Sequence, residues 1–215
     1  MENPYPGSKV LIQGWVARWY DNLLDIFTLG FYTPFLKRVI RDIGITEDDR
    51  ILDFGAGTGK NACLMRKYLG TRGYFLGLDV SDDMIQVFKK RCRVFKNVEI
   101  KKQGIDKPFH LGELFTKVFI SFVLHGFPQD VRMVILKNAF NHLEPGGSLF
   151  IFDYGEFRLS ETSFVFRTVF KFIECIYAFD FIERNLDEML KKTGFREVHQ
   201  KYYLGGKLRL VNAIK

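Results

Sequence analysis

The sequence predicts an α/β fold: seven strands in a mostly parallel sheet, with helices before and between them and an antiparallel hairpin at the C-terminus. Three observations carry this. From Arg50 onward, short apolar runs alternate with stretches of helical periodicity. The first run, Arg50 to Phe54, ends in a glycine cluster, as a buried strand does where it turns into a helix. The last two strand-like segments meet across Gly205-Gly206, a hairpin signal.

The elements follow in order. Residues Lys9 to Arg41 read as helices: Val10, Trp15, Val16, Trp19, Leu23, Leu24 and Phe27 lie near helical spacing, and Pro34 opens a second helix through Ile40. Strand Arg50 to Phe54 leads into a helix over Lys60 to Leu69, then a strand over Gly73 to Asp79. Ser81 caps a helix to Arg93. Val98 to Lys102 and Phe115 to Val123 are strands, Pro128 to Leu143 a helix, and Ser148 to Tyr154 a strand. Ser163 to Leu190 is helical and rich in Phe, and Arg196 to Leu204 with Lys207 to Ile214 form the hairpin. No Pro/Gly/Ser linker divides the chain, so a single domain is expected over 1–215. It comprises a helical cap (1–45), a core (46–155), a helical insertion (156–192) and the terminal hairpin (193–215).

At 215 residues the chain fits one core. Its 47% hydrophobic and 27% charged residues exclude both a bundle of membrane spans and a disordered chain. Lys plus Arg outnumber Asp plus Glu by 32 to 25, for a net charge of +7. That excess is scattered, which suits anionic surfaces or ligands; no nucleic-acid partner is expected. Cys63, Cys92 and Cys175 form no Cys-x-x-Cys pair, and no two histidines stand four apart on a helix. Neither a disulfide framework nor a metal site is therefore expected. The start, MENPYPGSK, has no basic region leading into an apolar run. With no span of ~20 apolar residues, a reducing, cytoplasmic setting is expected.

The segment Ile51-Leu52-Asp53-Phe54-Gly55-Ala56-Gly57-Thr58-Gly59 is the most informative. Glycines at alternate positions let backbone approach a ligand at the carboxyl edge of the sheet. A phosphate-cradling Walker loop fails, because position 54 is Phe and position 61 is Asn. A dinucleotide fingerprint stays open but is weakened by Lys60 at its third small position. A third reading also uses the acids. Asp53 at the strand end accepts hydrogen bonds from an ammonium or from loop amides. Asp79, 20 residues after Gly59, is placed to bind the two hydroxyls of a ribose. The ligand so described has a ribose and an amino-acid end.

This constellation resembles the nucleotide site of class I S-adenosylmethionine (SAM) dependent methyltransferases, whose fold is Rossmann-like. Asp79-Val80-Ser81-Asp82-Asp83-Met84-Ile85 is similar to the stretch after the ribose acid, where Met or Ile packs on adenine. Ser121-Phe122-Val123-Leu124-His125-Gly126-Phe127-Pro128 resembles the fourth strand and the loop beside the methyl group. Leu143-Glu144-Pro145-Gly146-Gly147-Ser148-Leu149 resembles the turn into the fifth strand. The resemblance implies SAM as cofactor, bound over 46–155 by Asp53, Gly55, Ala56, Gly57, Thr58, Gly59, Asp79, Val80, Met84, Gly104, Ile105, Asp106 and Ser121. One loop departs from the pattern: Gln103-Gly104-Ile105-Asp106-Lys107-Pro108-Phe109 has Ile105 at the usual acid position. Asp106, or a backbone carbonyl, is left to bond the adenine amino group.

Methyl transfer from a sulfonium is an in-line displacement that orientation and desolvation can largely drive. No nucleophile is needed, and acceptor identity should lie in the two aromatic additions, the N-terminal helices and the Ser160 to Leu190 segment. The stretch from Arg18 to Gly30 narrows the resemblance to the ubiquinone/menaquinone biosynthesis C-methyltransferase (UbiE-like) family, which implies that Tyr20 lies over the methionine end of SAM. Phospholipid N-methyltransferases are similar in the same region. Their acceptors imply an apolar, lipid-like substrate, either a quinone precursor or a phospholipid. With Arg18, Lys37, Arg38, Arg41, Arg167 and Lys171 near the aromatic stripes, peripheral membrane contact is a further expectation. His125 and Tyr20 are the candidate catalytic residues, His125 as a base. The alternative function is a SAM-fold protein that binds a ligand or partner without turnover.

Overall fold

The apolar runs are strands buried on both faces. In β1 (Arg50–Phe54) four of the five residues are buried, and in β2 (Tyr74–Asp79) the four inner ones are. With β3 (Val98–Lys102), β4 (Phe115–Ser121), β5 (Leu143–Tyr154), β6 (Glu197–Tyr203) and β7 (Leu208–Ile214), they form one sheet in the order β3-β2-β1-β4-β5-β7-β6. The structure is a computed structural model describing residues 5–8 and 30–215. The first five strands are parallel, and β7 runs antiparallel between β5 and β6. Strand order reverses between β1 and β4, which opens a crevice at their carboxyl ends.

Alternation along the strands sends side chains to two helical layers. Leu52, Phe54, Leu76, Val118, Ile120 and Ile151 pack with Ile135, Leu136 and Ala139 of α4 (Gln129–His142) and Met189 and Leu190 of α7 (Leu186–Thr193). Ile51, Phe75, Phe119 and Phe150 pack on the other face. Their partners are Leu36 and Ile40 of α1 (Tyr32–Asp42), Met65 of α2 (Lys60–Met65) and Phe88 of α3 (Asp82–Cys92).

Several boundaries differ from the expectation. Pro34 sits at the third helical position of α1, where its missing N–H is still harmless, because the first four amides of a helix have no internal acceptor. Strand β4 stops at Ser121, where Phe122 takes a φ of 53° and turns the chain out of the sheet. Strand β5 starts at Leu143, its register on β4 shifting between Phe115 and Lys117 as the Glu144-Pro145-Gly146-Gly147 segment bulges. The expected helical run from Ser163 to Leu190 is three helices: α5 (Phe164–Ile173), α6 (Ile176–Phe181) and α7. A chain that must wrap over a sheet edge cannot stay one straight rod. Arg132 fixes the wrap: its buried guanidinium donates to the carbonyls of Leu124 and Tyr177 and to the Asp180 carboxylate.

Phe170 of α5 is buried, with ring centroids of Tyr154, Phe179, Phe166 and Phe157 at 5.1, 5.4, 5.8 and 6.0 Å. It is the core of the insertion. Phe170→Ala is expected to lower stability by about 3 kcal/mol through the cavity it leaves, read as a fall in melting temperature. An unchanged melting temperature would show that this cluster does not hold the insertion.

Candidate active site

The glycine loop is tied to the ends of β1 and β2. The amides of Gly55 and Ala56 both donate to the Leu78 carbonyl at 2.9 Å. Gly55 has a φ of 77°, and a Cβ there would stand 2.5 Å from Val123 Cγ2, so only glycine fits beside the loop after β4. Thr58 is held by Arg91 of α3, which donates to its carbonyl at 3.1 Å and its hydroxyl at 2.7 Å. Gly59 caps α2 in the left-handed conformation. Asp79 completes the frame: one carboxylate oxygen accepts from the Gly57 amide at 2.8 Å, the other from the Ser81 amide at 2.9 Å. Burial raises its pKa, and the backbone bonds oppose that rise.

Asp53 is the electrostatic anomaly. Its carboxylate is fully buried at the end of β1, and neither oxygen has a hydrogen-bond partner among the described residues. Burial, then the nearby Asp79 charge, pushes its pKa up to about 8. A buried carboxylate without a donor is unfavourable, so the position suits a cationic or donor group that the described residues do not supply.

Beyond β2, Val80 is exposed and Met84 is buried behind it, its amide reaching the Ser81 hydroxyl at 3.4 Å. A Cβ at Gly104 would meet Asp106 Oδ1 at 2.8 Å and Val80 Cγ1 at 3.6 Å, so these groups converge on Gly104. Ile105 points into the core, and its carbonyl and that of Lys107 accept from the Asn138 amide group at 2.9 Å each. Asp106 accepts from the Tyr5 hydroxyl at 2.7 Å. Tyr5 is a contact the sequence reading missed. It lies edge-on to Phe127, while the Ser8 hydroxyl donates to the Gly126 carbonyl at 2.7 Å.

Ser121 ends β4, and the loop after it carries His125 into an ionic cluster. His125 Nδ1 lies 2.7 Å from Asp153 Oδ1, and Nε2 lies 3.4 Å from Glu174 Oε2. Tyr154 donates to the other Glu174 oxygen at 2.6 Å. Burial disfavours the charged ring, but the Asp153 and Glu174 carboxylates outweigh it and push the pKa up to about 10. The two carboxylates thus favour the protonated ring. Rings of Tyr154, Phe122 and Phe181 wall it at 5.0, 6.5 and 6.5 Å. Asp153 and Glu174 were not singled out in the sequence. Asp153 had a signal, an acid near the end of a parallel strand like Asp53 and Asp79. Glu174 had none, since it depends on the break between α5 and α6.

The structure thus brings Asp53, Gly55, Ala56, Gly57, Thr58, Gly59 and Asp79 together at one edge, with Val80, Gly104 and Asp106 beside them. Tyr20, with Trp15 and Trp19, lies outside the described residues.

Residues 51–147 match the methyltransferase domain family. The chain is 25% identical over 210 residues to demethylmenaquinone methyltransferase of Staphylococcus aureus, covering 89% of this chain and 86% of that one. Among solved structures it is similar to a SAM-dependent methyltransferase from Aquifex aeolicus, with a TM-score of 0.63, 19% identity, and 83% and 88% of the two chains covered. It is also similar to human N-acetylserotonin methyltransferase in complex with SAM, with a TM-score of 0.59, 15% identity, and 78% and 47% covered. The domain match, the relatives and the sheet order support a SAM-dependent methyltransferase with SAM as its cofactor, and the chain resembles the class I enzymes. Within that class it resembles the UbiE-like family.

Proposed function

We propose that the enzyme methylates an apolar, lipid-like acceptor, a quinone precursor in the first instance and a phospholipid in the second. The observation that carries this reading is the aromatic-walled cluster of His125, Asp153 and Glu174 at the same sheet edge as Asp53. Catalysis then needs an acceptor held against the cofactor in a dry site. The likeness to a demethylmenaquinone methyltransferase supports the quinone precursor.

SAM supplies a methyl group on a cationic sulfonium. When SAM is bound, Asp53 would balance its positive amino-acid end, Asp79 would take the ribose hydroxyls, and the glycine loop would let backbone approach the cofactor. Val80 gives the exposed apolar surface for adenine, and Asp106 stands at its edge. His125 lies between two carboxylates that favour its protonated form, which disfavours a role as base. Its role is to hold an acceptor oxygen that carries negative charge, with Asp153 fixing the ring and Glu174 yielding the Nε2 side. Peripheral contact with a membrane, where such acceptors dissolve, belongs to the same reading. Among the described residues no helix is long and apolar enough to cross one.

Calorimetry and turnover test this together. SAM and S-adenosylhomocysteine are expected to bind at least about a hundredfold more tightly than NAD, a difference of roughly 2.7 kcal/mol. Methyl-labelled SAM is expected to pass its label to a hydroxylated polyprenyl quinol. Label transfer to phosphatidylethanolamine instead would select the second acceptor. Transfer to neither would overturn the lipid-like reading.

A further inference from the structure

One face of α5 is apolar and exposed. Ser163 caps this helix by accepting from the Phe166 amide at 3.3 Å. Phe166 and Phe170 pack inward against Phe157. The other face carries Phe164, Val165 and Phe172, which are 78%, 70% and 86% exposed, and Val169, also exposed. Ile176, at the start of α6, continues the patch at 62%. At helical spacing, positions 164, 165, 169 and 172 share one side. Contiguous exposed apolar surface of this kind marks an interaction site.

The charges decide the occupant. Between Thr162 and Ile176 the charged residues are Arg167, Lys171 and one acid, Glu174, whose side chain is turned inward to His125. Arg167 donates to the carbonyls of Leu159, Ser160 and Thr162, which ties its charge to the start of the helix. Lys171 is exposed one turn further on. An apolar face bordered by cations, with its one acid turned inward, suits the boundary between acyl chains and anionic headgroups. A second protein would more often meet such a face with a polar rim of both signs.

We propose that α5 docks the enzyme on an anionic lipid surface through Phe164, Val165 and Val169, with Lys171 at the headgroups. The same helix reaches the candidate acceptor cluster from its other side. Phe170 packs on Tyr154, whose hydroxyl bonds Glu174. Docking therefore places the acceptor side of the sheet edge next to the bilayer, which rests on the proposed lipid-like acceptor for its purpose but not for its physics.

The test is co-sedimentation of the full chain with vesicles of mixed phosphatidylglycerol and phosphatidylcholine, and of phosphatidylcholine alone. The wild type is expected to partition onto the anionic vesicles and less onto the neutral ones. Phe164→Ser with Val165→Ser should reduce that partitioning at least about tenfold. Lys171→Glu should reduce it about fivefold or more, and added salt should weaken the wild type toward this variant. Both variants change exposed residues, so SAM affinity and melting temperature should match the wild type. Absent partitioning, or partitioning unchanged in the serine variant, would overturn the proposal. So would sedimentation showing a dimer that the serine variant dissolves. SAM binding measured in parallel separates the two readings. Its loss would remove the proposed function, while its retention without vesicle binding would remove only the docking face.

Discussion

Asp53→Asn is expected to stabilise the ligand-free protein at pH 8 and to remove most of its SAM affinity. The Asp53 pKa rises from 3.8 to about 8 on folding, by burial first and by the Asp79 charge second. The folded state therefore holds the proton more tightly than the unfolded chain does. Its contribution to stability is full below about pH 4 and is lost as pH rises through 8. Asparagine is never charged and escapes that loss. A gain of about 2 kcal/mol at pH 8, or roughly 4–8 °C, is expected, shrinking as pH falls toward 4. SAM should reverse the balance. A cationic ligand beside the carboxylate favours its ionised form, so binding near pH 7 should release a proton and tighten from pH 6 to pH 8. Calorimetry in two buffers of different ionisation enthalpy counts that proton. In the asparagine variant the release should vanish and affinity should fall by about 2–3 kcal/mol, roughly 30- to 150-fold. A wild-type affinity independent of pH, with no proton released, would remove Asp53 from the proposed site.

Asp79→Ala is expected to reduce SAM affinity by about 3 kcal/mol, the worth of two charge-assisted hydrogen bonds to a ribose. From the sequence alone, the ligand-free protein should keep its stability, because an acid facing a site supports nothing else. The structure says otherwise. Asp79 accepts from the amides of Gly57 and Ser81, and alanine leaves both without their acceptor. A stability loss of about 1–3 kcal/mol should accompany the loss of affinity. Asp79→Asn keeps an acceptor oxygen and should recover part of the stability but less of the affinity. Thermal unfolding and calorimetry on the same three proteins separate the two roles. A dissociation constant unchanged in the alanine variant would show that Asp79 does not hold the ribose.

These residues also show how far local pattern reaches. Asp53, the glycine loop and Asp79 were legible because each marks the end of an apolar run, and strand ends in a parallel sheet gather at one edge. The Ser81 cap was legible from its place before a helical period, and its hydroxyl does take the Met84 amide. Tyr5 and Asp106 were not paired in the sequence, being 101 residues apart with no pattern linking them. The Pro34 position, the end of β4 at Phe122 and the breaks in the insertion were misplaced, since each answers to packing against the sheet and not to its neighbours in sequence.

The sequence by itself determined the alternation of strands and helices, the glycine loop and the two acids that frame it, because these depend on spacing and backbone freedom within a few residues. Only the tertiary structure decided that Asp53 is left without a partner among the described residues, that His125 lies between Asp153 and Glu174, and that one face of α5 is exposed. Charge state and exposure follow from what lies a few ångströms away in space, and strand order, not spacing, brings those groups together.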